Sequence, residues 1–406
     1  MRILSFPCHL PLIPVPAAAL AIAVLLVGCS QSEPPEFQAP GHAYAAGPVR
    51  LLPSDSILHD IRDAWEDDAG RIWFLSGYAP YLHLYGEDGR HMRCFGVSVV
   101  GPGELRAPWY VVGASRRPGT VEVWDIGARR INRYDTAGSF LAEVHLERMS
   151  GPVMSGYREG EFGEPLRLVA MDDGYALEVY REQFSTSWHL WRGVLLKLDS
   201  LGTVMDTISV HARLADSLPS KGPSVLGAGP LWTPCGPDAA ILQPERKELL
   251  RLSQSGELLG RRTVDLPAVA LTREDISRHV ENQMDREARE EGIDRSSPGL
   301  VRFAQRVIVQ VLASAPELAP PVRIRCDPAD GVWVQTFSTR TDPRGYGPLW
   351  LRASWYGEEE DVDWVRFPDG FQPLHFGEER VVGISTDSLG VQVPAWVPFP
   401  AELIGR

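Results

Sequence analysis

The feature that most constrains the fold of this 406-residue chain is a short turn-plus-strand unit that recurs along its length. The first copy is Gly70-Arg71-Ile72-Trp73-Phe74, in which glycine permits a tight turn and the following residues favour a β-strand. Five more copies follow, at 119–124, 173–177, 238–242, 330–334 and 379–382. The first residues of consecutive copies lie 49 to 65 positions apart, except that 92 positions separate Asp238 from Asp330.

A second turn follows five of these units. It is an Asp or Ser with a glycine one to three residues later, at 87–89, 135–138, 199–202, 253–256 and 387–390. A period of about 50 residues therefore contains four short strands, which is typical of a β-propeller blade. A β-sandwich does not repeat at this period, and the coils of a β-helix are shorter. We predict an all-β fold, a six-bladed β-propeller.

The last blade is one strand short in the sequence. It offers strands near Phe376, 381–385 and 391–397 only. An unpaired edge would remain there unless another segment covers it. We expect the fourth strand to come from 49–52, at the other end of the ring, so that the two termini close the propeller together.

The long interval predicts a helical-hairpin insertion between blades 4 and 5, at about 272–315. Thr272 and Asp275 form a variant capping box, and Ile276 and Val280 begin an apolar stripe that repeats every four residues. Ser297-Pro298 is the expected start of a second helix. The hairpin is expected to cover a propeller face, either as a lid or as an acidic docking surface.

Three segments resemble the bacterial six-bladed β-propeller lipoproteins, relatives of the NHL and TolB-like propellers. They are 67–73 (Asp-Asp-Ala-Gly-Arg-Ile-Trp), 95–105 with its Gly101-Pro102-Gly103-Glu104, and 381–390. The resemblance covers roughly 48–399. It implies the propeller fold, whereas for function it allows interaction modules, peptidyl-amidoglycolate lyases and gluconolactonase-like metal enzymes.

The N-terminus has the layout of an export signal. A basic Arg2 precedes an almost wholly apolar stretch, 12–27, which ends in Leu26-Val27-Gly28-Cys29. That ending resembles the lipobox of bacterial lipoproteins, whose cysteine carries the lipid; a membrane anchor, or a signal peptide with an incidental cysteine, is the alternative. Ser30 in place of Asp implies, by the same resemblance, the outer membrane facing the periplasm.

The expected organisation is a signal peptide at 1–28, a flexible tether at 29–47 and the propeller at 48–406. The segment 31–47 is rich in Pro, Ala, Gly and Glu and has too few apolar residues to order itself. The formal net charge is −13, and no basic stripe interrupts it. Because phosphate neutralisation supplies most nucleic-acid affinity, we expect no nucleic-acid partner.

Local catalytic signatures are missing from the sequence: it has no Gly-x-Ser-x-Gly, Cys-x-x-Cys or His-Glu-x-x-His motif. We predict no cofactor. The best local metal group is His59 and Asp63, which share one face of an extended strand, with Asp60 on the other face. A lone histidine and carboxylate on one blade are more often part of a solvated channel wall, so we predict no metal site, with His59 and Asp63 as the candidates if there is one.

A second candidate site is the segment 101–110. Glu104, Arg106 and Trp109 fall in the predicted crossover from blade one to blade two, on a propeller face where loops carry function. They are candidates for gripping a polar ligand. The alternative is a turn whose glycines permit the bend and whose Glu104 caps backbone amides.

Cysteines add one open question. Cys8 and Cys29 belong to the leader, which leaves Cys94, Cys235 and Cys326 in the propeller. Cys235 and Cys326 each lie a few residues before a turn-plus-strand unit, so both occupy inner-strand positions of consecutive blades. We expect two small buried residues there, although an exported protein can also keep a disulfide. Cys94 stays single in both cases.

These observations favour a membrane-tethered, extracytoplasmic propeller that acts as a binding or scaffold module for an envelope protein or a small ligand. The alternative is a propeller enzyme of lyase or lactonase type, with Ca²⁺ or Zn²⁺ at the mouth of the channel.

Overall fold

The structure is a computed structural model of the whole chain, and one unit of it spans Ala39–Arg406. It describes residues 43–53, 58, 60–96, 101, 103–106, 108–111, 119–146, 165–171, 174–182, 191–210, 231–266, 272–278, 281, 301–302, 305, 309, 321–337, 346–355, 362–387 and 391–403. The predicted signal peptide, Cys29 and most of the predicted tether lie outside the described residues.

The described part of the chain contains 25 β-strands. In chain order they are β1 Ala43–Ala45, β2 Arg50–Leu51, β3 Ile61–Glu66, β4 Ile72–Ser76, β5 Leu82–Tyr85, β6 His91–Phe95, β7 Pro108–Val111, β8 Thr120–Asp125, β9 Arg130–Asp135, β10 Phe140–His145, β11 Pro165–Met171, β12 Gly174–Glu182, β13 Trp191–Asp199, β14 Val204–Val210, β15 Leu231–Cys235, β16 Asp238–Gln243, β17 Glu248–Leu252, β18 Leu258–Thr263, β19 Arg323–Cys326, β20 Val332–Phe337, β21 Tyr346–Ala353, β22 Val362–Arg366, β23 Phe371–Phe376, β24 Arg380–Thr386 and β25 Gln392–Pro398. Short 3-10 turns occur at Pro244–Arg246 and Ala401–Leu403.

The strands form six sheets, antiparallel except for one edge strand, and the all-β, six-bladed propeller is confirmed. Blades one to four are β3–β6, β7–β10, β11–β14 and β15–β18; blade five contains β19–β22, and blade six contains β23–β25. The innermost strands β3, β7, β11, β15, β19 and β23 contact one another in that order, and β23 contacts β3 again. They therefore surround a central channel.

The predicted closure is confirmed. β2 pairs antiparallel with β25, the outer strand of blade six, with Arg50 opposite Trp396 and Leu51 opposite Ala395. The amide of Leu52 extends the ladder by donating to the Pro394 carbonyl at 2.9 Å. The N-terminal strand thus supplies the edge that blade six lacks, because an open edge would leave its backbone groups unpaired.

The propeller includes residues that precede the predicted boundary at Pro48. β1 runs parallel to β22, with Ala43 opposite Trp364, and adds a fifth strand to blade five. This pairing was not predicted, because edge pairing uses backbone groups and needs no apolar periodicity. Tyr44 and Val49 also pack against a buried cluster between blades five and six.

Buried aromatic residues fill the spaces between blades. Trp73, Trp124, Trp333 and Trp350 are fully buried. The indole N–H of Trp73 donates a hydrogen bond to Asp67 at 3.1 Å, and that of Trp333 donates to Asp327 at 2.9 Å. Blades one and five thus share an Asp that lies six residues before a Trp. In each blade the carboxylate of the hairpin turn bonds to a tryptophan of the buried core.

In the predicted insertion, residues 273–278 are helical. The capping box is present: the Thr272 hydroxyl accepts from the Asp275 amide at 3.1 Å, and Asp275 accepts from the Thr272 amide at 3.1 Å. Most of 279–315 lies outside the described residues, so the two-helix hairpin stays a prediction. No helix within the described ranges is long and apolar enough to cross a membrane.

Candidate ligand site at one end of the channel

A cavity of about 870 Å³ lies at one end of the channel. Its walls come from β3, β11, β15, β19 and β23, near the carboxyl end of each strand, and from the hairpin turns that follow several of them. Because the blades repeat the same strand order, all inner strands point their carboxyl ends toward this end of the ring. The volume is that of a pocket for a small molecule.

Carboxylates dominate the charge of this wall. Its basic side chains are Arg325 and Arg380, and its acidic side chains are Asp63, Glu66, Asp67, Asp68, Glu87, Asp327, Glu378 and Glu379. Low-dielectric walls concentrate the field of such charges, so the cavity attracts cations.

Two of these carboxylates have a structural role. Asp67 accepts from the amides of Ala69 and Arg71, both at 3.0 Å, and Arg71 neutralises it at 2.9 Å. Asp327 accepts from the Ala329 and Gly331 amides and pairs with Arg352. Both carboxylates are therefore saturated by groups of the chain itself.

Glu66 and Arg380 join blade one to blade six at the edge of the cavity. Nη2 and Nε of Arg380 donate to Oε1 of Glu66 at 2.7 and 2.9 Å. The other oxygen of Glu66, Oε2, is buried and has no hydrogen-bond partner in the described part of the chain. Since a buried acceptor without a partner is unfavourable, Glu66 is a place where a ligand donor would be stabilised.

An aromatic pair lies beside this ion pair. The rings of Trp65 and His375 are 4.6 Å apart between centroids, at an angle of 52°. Among the described residues the buried Nε1 of Trp65 also lacks a hydrogen-bond acceptor. Adjacent residues of β3 thus offer an unsatisfied donor and an unsatisfied acceptor.

His375 is neutral at physiological pH. Burial, together with the positive charges of Arg325 and Arg380, lowers its pKa to about 3. A neutral imidazole has one nitrogen lone pair, so it can accept a proton or a hydrogen bond from a molecule in the cavity.

The predicted metal residues fall partly on this site. Asp63 lines the cavity and is buried, Asp60 lies just before β3 and pairs with Arg62, and His59 lies outside the described residues. Within the described ranges no group of three or more His, Cys, Asp or Glu side chains is arranged to hold a metal ion. The expectation of a channel wall without a metal, with His59 and Asp63 as candidates only, stays a prediction.

The predicted patch at Glu104 and Arg106 lies in the connection between β6 and β7, and neither residue lines the cavity. Its backbone is held on blade two: the Tyr134 hydroxyl donates to the Gly103 carbonyl at 2.7 Å, and the Arg106 amide donates to Asp125 at 2.8 Å. The connection precedes an inner strand, so it belongs to the opposite end of the channel.

The side chains of this patch differ in exposure. That of Arg106 is exposed, whereas Oε2 of Glu104 is buried with no partner in the described segments. Trp109 lies in β7, and its side chain is outside the described residues. The binding role of Glu104, Arg106 and Trp109 stays a prediction.

The sequence interpretation missed Trp65, Glu66 and His375. All three lie four or five residues before a turn-plus-strand unit, at Gly70 and Glu379. That offset marks the carboxyl end of an inner strand, and the two cysteines lie there too, three and four residues before their units. Collecting the polar and aromatic residues at this offset in every blade would have identified the site.

The expectation for Cys235 and Cys326 was wrong. The two residues form a disulfide, with their Cα atoms 5.4 Å apart, inside the range that the bond requires. They come together because β15 and β19 are adjacent inner strands, whereas 91 residues separate them in the sequence. Cys94 is an exposed free thiol, as expected.

Together, the strand pairing and the channel define a six-bladed β-propeller with a cavity of ligand size at one end of its axis. No protein-family model matches this chain, and no characterised protein sequence matches it.

Several solved structures resemble it at low identity. A member of the DUF4221 family from Bacteroides vulgatus has 9% identity and a TM-score of 0.49, over 87% of this chain and 96% of that one. Regucalcin, a calcium-binding protein from Agrobacterium tumefaciens, has 10% identity and a TM-score of 0.44, over 88% and 95%. Virginiamycin B lyase from Staphylococcus aureus has 12% identity and a TM-score of 0.36, over 87% of each chain. At these scores none of the three indicates a function for this chain.

Proposed function

We propose that this propeller is an exported binding module that takes a small cationic ligand in the cavity at the end of its channel. The observation that carries the proposal is the unsatisfied acceptor Oε2 of Glu66, which lies beside Trp65 in a wall rich in carboxylates. An amine or guanidinium would donate to Glu66 and lie against the Trp65 ring by a cation–π contact.

Calorimetric titration tests the sign of the ligand's charge. Spermidine, arginine amide and choline are compared with citrate and glucuronate, and we expect the cations alone to bind. Because several lining carboxylates are exposed to solvent, binding should weaken as ionic strength rises. Binding of the anions, or of neither set, would contradict the proposal.

A matched pair of variants tests the location. Glu378 and Glu379 are exposed at the rim of the cavity, so Glu378→Gln combined with Glu379→Gln should weaken cation binding about tenfold. Glu257→Gln removes an equally exposed carboxylate from the hairpin between β17 and β18 and should leave binding unchanged.

The alternative function is a lyase or lactonase reaction in the same cavity. The observation that favours it is the neutral imidazole of His375 in the cavity, which can accept a hydrogen bond from a substrate, although its low pKa makes it a weak base. A panel of lactones and cyclic peptides, assayed with Ca²⁺ or Zn²⁺, tests this function. Turnover that is lost in His375→Gln would support an enzyme, and binding of cations without turnover would support the module.

The cellular setting proposed for the module is the outer membrane, with the lipid on Cys29 and the propeller in the periplasm. The lipobox-like Leu26-Val27-Gly28-Cys29 supports it. In Cys29→Ala we expect an unprocessed or soluble precursor. Unchanged mass and unchanged membrane fractionation in that variant would refute lipidation, without affecting the ligand proposal.

A protein partner in the envelope is proposed to dock on the acidic side of the insertion, at Glu281, Asp285 and Glu291. Affinity capture with the lipidated protein from its own membranes identifies the partner. Charge reversal at all three positions should abolish capture and leave folding intact. If capture survives, the partner docks elsewhere.

A further inference from the structure

Two histidines face each other on the outer half of blade one, away from the channel. In the β5–β6 ladder His83 lies opposite Cys94 and His91 lies opposite Tyr85, so all four residues share one face of the sheet. This face packs toward blade six, since Tyr85 belongs to a cluster with Leu52 and Val382. The two imidazole centroids are 5.8 Å apart.

The hydrogen bond of His83 determines which of its nitrogens is available. Its Nε2 lies 2.9 Å from the Pro80 carbonyl, which can only accept, so Nε2 carries the proton and Nδ1 carries the lone pair. That Nδ1 is buried with no partner in the described part of the chain. Metal-binding histidines typically donate their second nitrogen to a backbone carbonyl in this way.

His91 presents a matching atom. Its Nε2 is also buried, and it too has no hydrogen-bond partner among the residues described. The two imidazoles therefore make no hydrogen bond to each other, although both orphaned nitrogens belong to rings in near contact. Burial, together with the neighbouring His91, lowers the pKa of His83 and keeps it neutral, as a metal ligand must be.

The separation of the rings suits one shared ion. A metal–nitrogen bond of about 2.0–2.1 Å puts the ion about 3.2 Å from the centre of each imidazole ring. The centroids of two ligating rings are then about 5.2 Å apart when the nitrogen–metal–nitrogen angle is tetrahedral and about 6.4 Å apart when it is linear. The observed 5.8 Å lies inside this range.

We propose that Nδ1 of His83 and Nε2 of His91 bind one Zn²⁺ or Cu⁺ ion, with the Cys94 thiolate as the third protein ligand. Cys94 is a free thiol directly across the ladder from His83. Imidazole and thiolate are the ligands that both ions prefer. No described group of three ligands is already arranged around an ion, so the thiol must rotate toward the histidines when the ion binds.

The test is a metal titration of the full lipidated chain in detergent, after removal of bound metal with a chelator. Competition with a chromophoric chelator measures the affinity for Zn²⁺ and for Cu⁺. We expect one ion per chain and a higher melting temperature on binding. Co²⁺ should give a thiolate-to-cobalt absorption band that disappears in Cys94→Ser.

His91→Ala is the decisive variant, because His91 is only partly buried and its loss leaves the blade core intact. The affinity should fall at least a hundredfold. His145→Ala is the control, since His145 is an exposed histidine of blade two whose side chain pairs with Glu143, and this variant should bind the ion as the parent chain does.

Absence of stoichiometric binding, or equal affinity in His91→Ala, would overturn the proposal. If His91→Ala does not fold, His91→Gln keeps a polar side chain of similar size, and loss of the metal-dependent rise in melting temperature is then measured in that variant. Cation binding in the channel cavity should be the same in all these variants, so the two proposals fail independently.

Discussion

The disulfide between Cys235 and Cys326 should contribute measurably to the stability of the ring. It links adjacent inner strands of blades four and five and closes a loop that contains the whole insertion. Cross-linking residues 91 positions apart removes about 4.6 kcal/mol of conformational entropy from the unfolded chain in the loop-closure treatment. The double variant Cys235→Ala/Cys326→Ala should therefore be less stable by about that amount.

The corresponding change in melting temperature is modest, because the domain is large. With about 2.1 cal/mol/K of unfolding entropy per residue over the 359 residues from Pro48 to Arg406, 4.6 kcal/mol corresponds to about 6 °C. Calorimetry with and without reductant measures it. The parent chain should melt about 6 °C lower in reductant, whereas the double variant should melt at the lower temperature in both buffers.

Cys94→Ser, compared with the parent in metal-free buffer, is the control, because Cys94 is exposed and forms no disulfide, and it should melt as the parent does. Thiol titration of the unfolded, unreduced propeller should find one reactive cysteine among the three at 94, 235 and 326. Three reactive thiols would refute the bond. A bond that is present but whose reduction leaves the melting temperature unchanged would refute the entropic reasoning.

Three further predictions follow from the packing. Deleting 48–53 should lower the melting temperature of the entire propeller, since it removes β2 and the buried Leu52. Leu52→Ala alone should lower the free energy of unfolding in urea by about 2–5 kcal/mol. An unaltered unfolding midpoint in either variant would contradict the closure. Asp327→Asn removes the buried ion pair with Arg352 and should cost about 3–5 kcal/mol, whereas Asp60→Asn, at an exposed pair, should cost about 0–1 kcal/mol; equal costs would contradict the role of burial. The pKa of His375 is about 3 in the folded chain and about 6.5 when unfolded, so the unfolded state binds more protons between these values and stability falls as pH drops below about 6.5. From pH 7 to 5 this loss should be about 1–2 kcal/mol and should be missing in His375→Phe, as urea midpoints at the two pH values would reveal.

The sequence by itself determined the blade count, the chain closure and the capping box at Thr272. All three depend on local patterns: glycine turns, short β-branched and aromatic strands, and a cap within four residues of its partner. A repeat of about 50 residues leaves few architectures open, and counting its copies then counts the blades. The missing edge of the last blade followed from the same count.

Only the tertiary structure decided which inner-strand residues meet. Trp65 contacts His375, Glu66 pairs with Arg380, and Cys235 bonds Cys326, although hundreds of residues separate the first two pairs. The repeat places such residues at equivalent levels of the channel, but their contact depends on the radius of the closed ring and on side-chain direction. The pairing of β1 with β22 was also not predictable from the sequence, because it uses backbone hydrogen bonds, which leave no pattern in the side chains.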